Sequence, residues 1–201
     1  MNEGVRATHP TKMHLLDTAV SLIDEFGAQG FTVEQLLEKS TISKGSLYHH
    51  FEDFSDVIVQ AQVVRFSQYV AEDIEQLTSV MMNTTSREDL IVRLDLVTRA
   101  SHAPDRAPRR FDRAAIIASV QYSEKGRAQL SVAQQHLTDA ISDVIRELQE
   151  RQLIDAAIDP RSLSTFIQAY SLGLVLNDVT AEPVDHEAWI ALIGRMVRGL
   201  I

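Results

Sequence analysis

Hydrophobic residues recur at helical spacing along almost the whole chain, and no segment shows the strict alternation of a half-buried strand. The apolar positions between residues 11 and 26 fall on one helical face. They are Leu15, Leu16, Ala19, Leu22, Ile23 and Phe26. Gly27 and Gly30 end this helix, because glycine favours the chain reversal that follows a helix C-terminus. The pattern predicts an all-α fold class.

Breaks in the helical period divide the chain into about nine predicted helices. They lie at about 11–26, 32–39, 43–50, 54–82, 87–101, 109–123, 126–152, 160–180 and 185–200. Residues 102–108 (HAPDRAP) are predicted to form a loop, because proline and the residue before it resist helix. We expect two domains that meet at the start of the long fourth helix, an N-terminal domain at 1–56 and a helical domain at 57–201.

The N-terminal domain contains two short helices separated by a three-residue turn, within FTVEQLLEKSTISKGSLYHHF (31–51). These are the dimensions of a helix-turn-helix, whose second helix enters the major groove of DNA. Thr32 and Ser43 are good capping residues for the two helices. The outer side of the second helix carries small, basic or hydrogen-bonding residues suited to DNA contact. They are Ser43, Lys44, Gly45, Ser46, Tyr48 and His49.

The motif SKGSLYHHF resembles the DNA-binding domain of the tetracycline repressor (TetR) family over about residues 11–57, together with the preceding Gly-Phe-Thr and Phe-Gly sequences. The resemblance implies a bacterial transcriptional regulator that acts as a repressor. It implies a homodimer that binds double-stranded operator DNA and is released by a small hydrophobic effector. It further implies a phosphate contact from Thr32, base-groove contact from 44–46, and phosphate or base contacts from Tyr48 and His49.

The sequence departs from the family pattern at three places. The family usually has Ala at the position of Leu37 and Gly at the position of Thr41, where a β-branched residue resists a positive φ. It usually has Lys shortly after Phe51, where this chain reads EDFSD (52–56), including Phe54. Residues 1–56 hold four Lys and Arg against nine Asp and Glu. We therefore expect weak DNA binding with a shallow salt dependence, aided by an N-terminal arm containing Arg6, His9 and Lys12.

The C-terminal helices are apolar enough to enclose a pocket for the effector. Polar residues on their apolar faces are the candidate ligand contacts, although each fits a core or interface role equally well. They are Thr98, Tyr122, Tyr170 and Asn177. Asn177 also fits a residue that fixes the register of paired helices. By the resemblance, the last two helices form the dimer interface. The candidates are Phe166, Tyr170, Leu174, Trp189, Ile193 and Met196.

Two charged clusters have a simpler expected role. Arg106, Arg109, Arg110 and Arg113 form the main basic cluster, which could bind an anion, but the pattern favours a solvated loop. Glu72, Asp73 and Glu75 are predicted to form a solvated helix face. His49 and His50 point about 100° apart on a helix, so they are poorly placed to share a metal ion.

Composition excludes several classes of protein. The net charge of -9 argues mildly against a nucleic-acid partner, although the local charge of the contact surface decides. The absence of cysteine excludes disulfides and fits a cytoplasmic protein. The polar N-terminus does not resemble a signal peptide, and no apolar run is long enough to span a membrane.

No nucleophile–base pair, metal-ligand set or phosphate loop stands out in the sequence, so we expect no enzymatic activity, no cofactor and no metal. The alternative to a regulator is a helical protein-interaction module with weak or lost DNA binding. The acidic N-terminal domain and the departures at Leu37, Thr41 and Phe54 favour that alternative.

Overall fold

The structure, a computed structural model, describes residues 9–199 and contains only helices, turns and loops in that range. The helices are α1 (Pro10–Phe26), α2 (Val33–Ser40), α3 (Lys44–His50), α4 (Phe54–Met81), α5 (Arg87–His102), α6 (Ala107–Ser119), α7 (Glu124–Glu150), α8 (Pro160–Gly173), α9 (Val175–Asp178) and α10 (His186–Arg198). The predicted all-α class is confirmed. None of these helices is both long and apolar enough to cross a membrane.

Side-chain caps explain where most of these helices begin. Thr32 accepts a hydrogen bond from the Gln35 amide, and the Gln35 side chain accepts one from the Thr32 amide, which completes a capping box. Ser43 caps α3 in the same way by accepting from the Ser46 amide. Asp159 caps α8, with Pro160 in its first turn, where the missing N–H costs nothing. The predicted caps of α2 and α3 are confirmed.

Two predicted helix boundaries are wrong. Residues 102–108 are not a loop, because a 3-10 turn at Pro104–Arg106 leads directly into α6 at Ala107. Both prolines lie in the first turn of their helical segments, a position that proline tolerates. The helix predicted at 160–180 divides after Gly173, a weak helix former, into α8 and the single turn α9. Residue 200 of the predicted last helix lies outside the described residues.

The long helix α4 is shared by two hydrophobic cores. The first core joins α1, α2 and α3 to Val57 and Ala61, in the first two turns of α4. The second core begins at Val63 and joins Phe66 and Val70 to α6, α7 and α8. The change from one core to the other therefore falls inside α4, a little beyond residue 56. A movement of α4 would act on both cores at once.

Two departures from the family pattern have a structural explanation in the first core. The Phe54 ring lies edge-on to the Phe31 ring, with centroids 5.6 Å apart. Leu37 is half-buried and packs against the same core. Both side chains therefore contribute to the packing of the N-terminal domain.

Thr41 adopts the left-handed conformation that a β-branched residue resists, with φ 56° and ψ 21°. A β-branched residue in this region costs about 1–2 kcal/mol. We expect Thr41→Gly to raise the free energy of unfolding by about 1 kcal/mol, or the melting temperature by about 2–4 °C for a chain of this size. Thr41→Ala keeps the Cβ atom, so it should raise the free energy of unfolding much less than Thr41→Gly does. Equal melting temperatures for the Gly variant and the wild type would show that the turn is unstrained.

Candidate DNA-binding surface and effector cavity

Helix α3 presents its polar side to solvent because its apolar side anchors it to the first core. Leu47 is fully buried and Phe51 follows it into the core. The predicted DNA-contact residues lie on the opposite side or at helix starts. Thr32, Ser43, Lys44, Gly45, Tyr48 and His49 are exposed, and Ser46 is half-buried. Lys44 has no hydrogen-bond or ion-pair partner within residues 9–199, so its charge is available.

Gly45 has no internal structural reason to be glycine. A Cβ atom built at this position would meet no neighbouring group within 4 Å, and its φ is not positive. Glycine inside a helix costs roughly 0.5–1 kcal/mol relative to alanine. The position is therefore suboptimal for stability in the isolated chain, as expected where a ligand backbone or base edge must approach closely.

The acidic segment after α3 is engaged within the molecule. Asp53 caps α4 by accepting from the Asp56 amide at 2.7 Å. Asp56 in turn accepts hydrogen bonds from Gln60 and Lys125 at 2.8 and 3.0 Å. Burial opposes ionisation of Asp56, but these hydrogen bonds and the Lys125 charge outweigh it and lower the pKa of the carboxyl. The carboxylates that replace the family's lysine therefore fasten α4 to the start of α7.

Two of the residues predicted for an N-terminal arm lie against the end of α3, but Lys12 belongs to the first turn of α1 and His9 is its N-cap. The His9 ring lies 4.7 Å from the His50 ring, and the Lys12 ammonium lies 5.3 Å from the centre of the Phe51 ring. Burial, followed by the nearby positive charges of His9, His49 and Lys12, lowers the pKa of His50. Arg6, the remaining residue of the predicted arm, lies outside the described residues.

A buried arginine connects the two cores. The Arg65 guanidinium lies 2.8 Å from Asp24 of α1 and 2.8 Å from Asp112 of α6. The Tyr69 hydroxyl donates a hydrogen bond to the same Asp112 carboxylate at 3.1 Å. Only 9% of the Arg65 side chain is exposed. Arg65 therefore links a helix of the N-terminal domain to a helix of the C-terminal domain through α4.

The C-terminal domain contains an open-sided cavity of about 860 Å³ between α4, α5, α6, α7 and α8. Its apolar surface comes from several helices. The contributing residues are Leu77, Leu96, Val97, Leu137, Ile141, Ile167 and Leu172. Its charged wall includes all four arginines of the basic cluster, together with Asp73 and Glu75. A volume in this range is typical of a small-molecule site.

The arginine cluster is part of this wall, so the prediction of a solvated loop is wrong. Arg109 binds Glu72 and Asp73 at 2.5 and 2.7 Å, and Arg113 binds Asp73 at 2.6 Å. The predicted solvated face of α4 is confirmed for Glu72 and Glu75, which are exposed, but it is wrong for Asp73, which is half-buried between Arg109 and Arg113. The spacing of the four arginines is the sequence feature that indicates a common wall, because residues at i, i+3, i+4 and i+7 share one helix face.

Arg110 makes the most buried ion pair of the cluster. Its guanidinium donates to both carboxylate oxygens of Asp178 at 2.7 Å, and also to the carbonyl oxygens of Ser101 and Ala103. Arg110 therefore fixes the start of α6 to the end of α5 and to α9.

None of the four residues predicted to bind the effector lines the large cavity. Thr98 is buried and hydrogen-bonds to Tyr170, whose ring stacks on His102 with centroids 5.3 Å apart. Burial raises the pKa of Tyr170, and the hydrogen bonds with Thr98 and Ser171 partly oppose this. Asn177 accepts a hydrogen bond from the Val184 amide at 2.7 Å, and Tyr122 is 91% exposed. These positions fit a structural role in the core or in a loop instead of contact with a ligand in the large cavity.

Comparison with known proteins identifies the N-terminal domain. Residues 15–55 match the sequence profile described as bacterial regulatory proteins, tetR family. Residues 15–55 are a tetR-family domain. The match includes α2, α3 and the turn between them, so the predicted resemblance is confirmed. No curated protein matches the chain in sequence.

Solved structures share the fold of nearly the whole chain. Salmonella enterica GusR is 20% identical, with a TM-score of 0.63 over 99% of this chain and 98% of that one. Regulatory protein TetR from Rhodobacter sphaeroides is 19% identical, with a TM-score of 0.58 over 93% and 98%. FadR from Bacillus subtilis in complex with stearoyl-CoA is 17% identical, with a TM-score of 0.56 over 92% and 96%. At these identities the likeness shows a shared fold.

The residues predicted for a tetR-type dimer interface divide into two groups. Phe166 and Met196 are exposed, and Tyr170 and Trp189 are half-buried. Leu174 and Ile193 are buried within the chain itself. Other apolar side chains of the same region are exposed. They are Leu176, Val179, Val184 and Leu192. The helices α8 to α10 thus leave an apolar surface uncovered in the single chain.

Proposed function

We propose that the protein is an effector-responsive transcriptional regulator, acting as a repressor, whose homodimer binds operator DNA through α3. The observation that carries this proposal is the outer side of α3, where Gly45 leaves space beside the unpaired Lys44 and the exposed Tyr48. A helix that enters the major groove needs such a slim, polar and basic side.

The uncovered apolar surface of α8 to α10 supports the dimer. Exposed apolar patches of this kind mark interaction surfaces in soluble proteins. A two-fold dimer would present two copies of α3 to DNA, about 34–36 Å apart or at a related spacing. Phe166 and Met196 are then the interface residues to be expected from this chain, with Leu176 and Leu192 beside them.

The cavity supports an effector that changes the affinity for DNA. FadR from Bacillus subtilis, which shares the fold, has been solved with stearoyl-CoA. In the protein described here, α6 provides the arginine wall of the cavity and also carries Asp112, which pairs with Arg65. A ligand that displaces α6 would act on α4 and α1 through this pair. It can shift the DNA-binding equilibrium only by its differential affinity for the two conformations.

The test is to select fragments of the source genome with the purified full-length protein and to measure their binding in gel shifts at low and moderate salt. The intergenic DNA next to the gene is the first fragment to examine. We expect specific binding that resists competitor DNA. Gly45→Leu should remove it while raising the free energy of unfolding by about 0.5–1 kcal/mol, because leucine is the better helix former and has open space.

Tyr48→Ala should also weaken DNA binding, at least tenfold, with a small effect on stability because Tyr48 is exposed. A control variant is Val132→Ala, which truncates an exposed side chain of α7 outside α3. If the folded protein selects no fragment at low salt, or if Gly45→Leu binds as tightly as the wild type, the DNA-binding proposal fails. The alternative of a protein-interaction module, which the excess of carboxylates in 1–56 favours, would then stand.

A further inference from the structure

The cavity wall contains an arginine that the fold does not use. Arg109, Arg110 and Arg113 are neutralised by carboxylates of α4 and α9. Arg106 also lines the cavity and is half-buried, and its side chain has no hydrogen-bond or ion-pair partner within residues 9–199. A guanidinium withdrawn from water gains most from a carboxylate or phosphate that can accept two parallel hydrogen bonds.

The surroundings of Arg106 favour an anion over a neutral group. Arg106 is the residue before α6, and its side chain does not cap the helix. The helix dipole places partial positive charge at that end. The neighbouring guanidinium of Arg109 is held in place, 4.5 Å from the centre of the Tyr69 ring and paired with Asp73. An arriving anion would therefore meet a wall whose other three arginines are already paired with carboxylates.

The rest of the cavity requires an apolar body. Leu77, Leu137, Ile141 and Ile167 line it from three different helices. Burial of apolar surface stabilises a bound ligand by roughly 25 cal/mol per Å². Polar lining residues such as Gln168 already take part in hydrogen bonds with Ser164 and Thr138. The apolar region and the unpaired arginine together define one amphipathic site.

We propose that the effector is an amphipathic anion, with an apolar chain or ring system between α4 and α8 and a carboxylate or phosphate head bound by Arg106. This inference rests on the proposed effector function of the same cavity. It goes beyond a merely hydrophobic ligand because it assigns the charge of the head group and the residue that recognises it. The opposing charge is Glu75, which also lines the cavity and has no ion-pair partner within residues 9–199.

The test is calorimetric titration of the full-length protein, without DNA, with four probes that share a twelve-carbon chain. Dodecanoate and dodecyl phosphate carry anionic heads, dodecanol is neutral and dodecyltrimethylammonium is cationic, all below micelle-forming concentrations. We expect at least one anion to bind tenfold or more tightly than dodecanol, about 1.4 kcal/mol. The two anions distinguish a carboxylate from a phosphate ligand.

Arg106→Gln should weaken binding of the preferred anion at least tenfold and leave the affinity for dodecanol unchanged. Because Arg106 has no partner in the fold, this variant should keep the wild-type melting temperature. The matched control is Arg146→Gln, which removes an exposed arginine of α7 outside the cavity. Binding of dodecanol as tight as that of both anions, preference for the cation, or an unchanged Arg106→Gln affinity would overturn the inference. Because no DNA is present, these outcomes are independent of whether the protein binds an operator.

Discussion

Arg110→Met is expected to lower the free energy of unfolding by about 3–5 kcal/mol, the range for removing one partner of a buried ion pair. The Arg110 and Asp178 side chains are only 9% and 10% exposed, and their two hydrogen bonds are both 2.7 Å long. Methionine preserves the apolar stem, but it leaves a buried carboxylate without a cation. It also leaves the Ser101 and Ala103 carbonyl oxygens without their donor. Urea denaturation followed by circular dichroism measures the change.

Two further variants separate the buried charge from the loss of packing. Arg110→Met combined with Asp178→Leu should recover most of the lost stability, because an apolar pair can replace a buried ion pair at little cost. Arg99→Met removes a more exposed arginine, paired with Asp95 and Glu187, and should cost less than about 1 kcal/mol. A cost for Arg110→Met no larger than that for Arg99→Met would show that the Asp178 carboxylate is solvated in solution.

The Arg110 pair also connects the cavity of the C-terminal domain with the proposed dimer interface. Arg110 lies on the helix that forms the charged wall of the cavity, whereas Asp178 lies in α9, beside the exposed apolar surface. A ligand that shifts α6 would therefore displace the segment next to the proposed dimer interface. Loss of this pair should weaken dimer formation as well as lower the stability of the chain.

Local features of the N-terminal domain could be predicted because they depend on residues close in sequence. The Thr32 cap and its capping box involve residues three positions apart, as does the Ser43 cap. The left-handed turn at Thr41 is likewise a property of one residue between two short helices. For such features, residue type and spacing are nearly sufficient.

The residues that line the cavity could not be predicted in the same way, because the groups that pair with them are distant in sequence. Arg110 and Asp178 are 68 positions apart, and Arg113 and Asp73 are 40 apart. Periodicity shows that a polar residue lies on an apolar face, but not whether another residue satisfies it. Periodicity therefore predicts Thr98 and Tyr170 as ligand contacts, although they hydrogen-bond to each other. The two prolines in 102–108 also predict a loop where the structure has the start of α6, so the arginines of α6 are assigned to a loop.

Arg65→Met is expected to separate effector binding from DNA release. Met fills the apolar part of the site but removes the charge that joins Asp24 of α1 to Asp112 of α6. Coupling between two sites commonly changes affinity by about 5–150-fold. In the variant, we expect the preferred twelve-carbon anion to change operator affinity by less than about threefold, while operator binding without it stays near the wild-type value. The measurement is the ratio of operator Kd values with and without that anion.

We expect this separation because the ion pairs of Arg65 connect α1 with α6 but contribute little to the stability of either domain. The Asp24 and Asp112 side chains are 55% and 40% exposed, so water can solvate them once the arginine is gone. The hydrophobic packing of α1 against the first turns of α4 remains. Arg99→Met is the matched control, because Arg99 also joins two carboxylates but links α5 to α10. It should keep the full response. An undiminished response in Arg65→Met would instead assign the coupling to a different ion pair between the domains, such as Lys125 of α7 with Asp56 of α4.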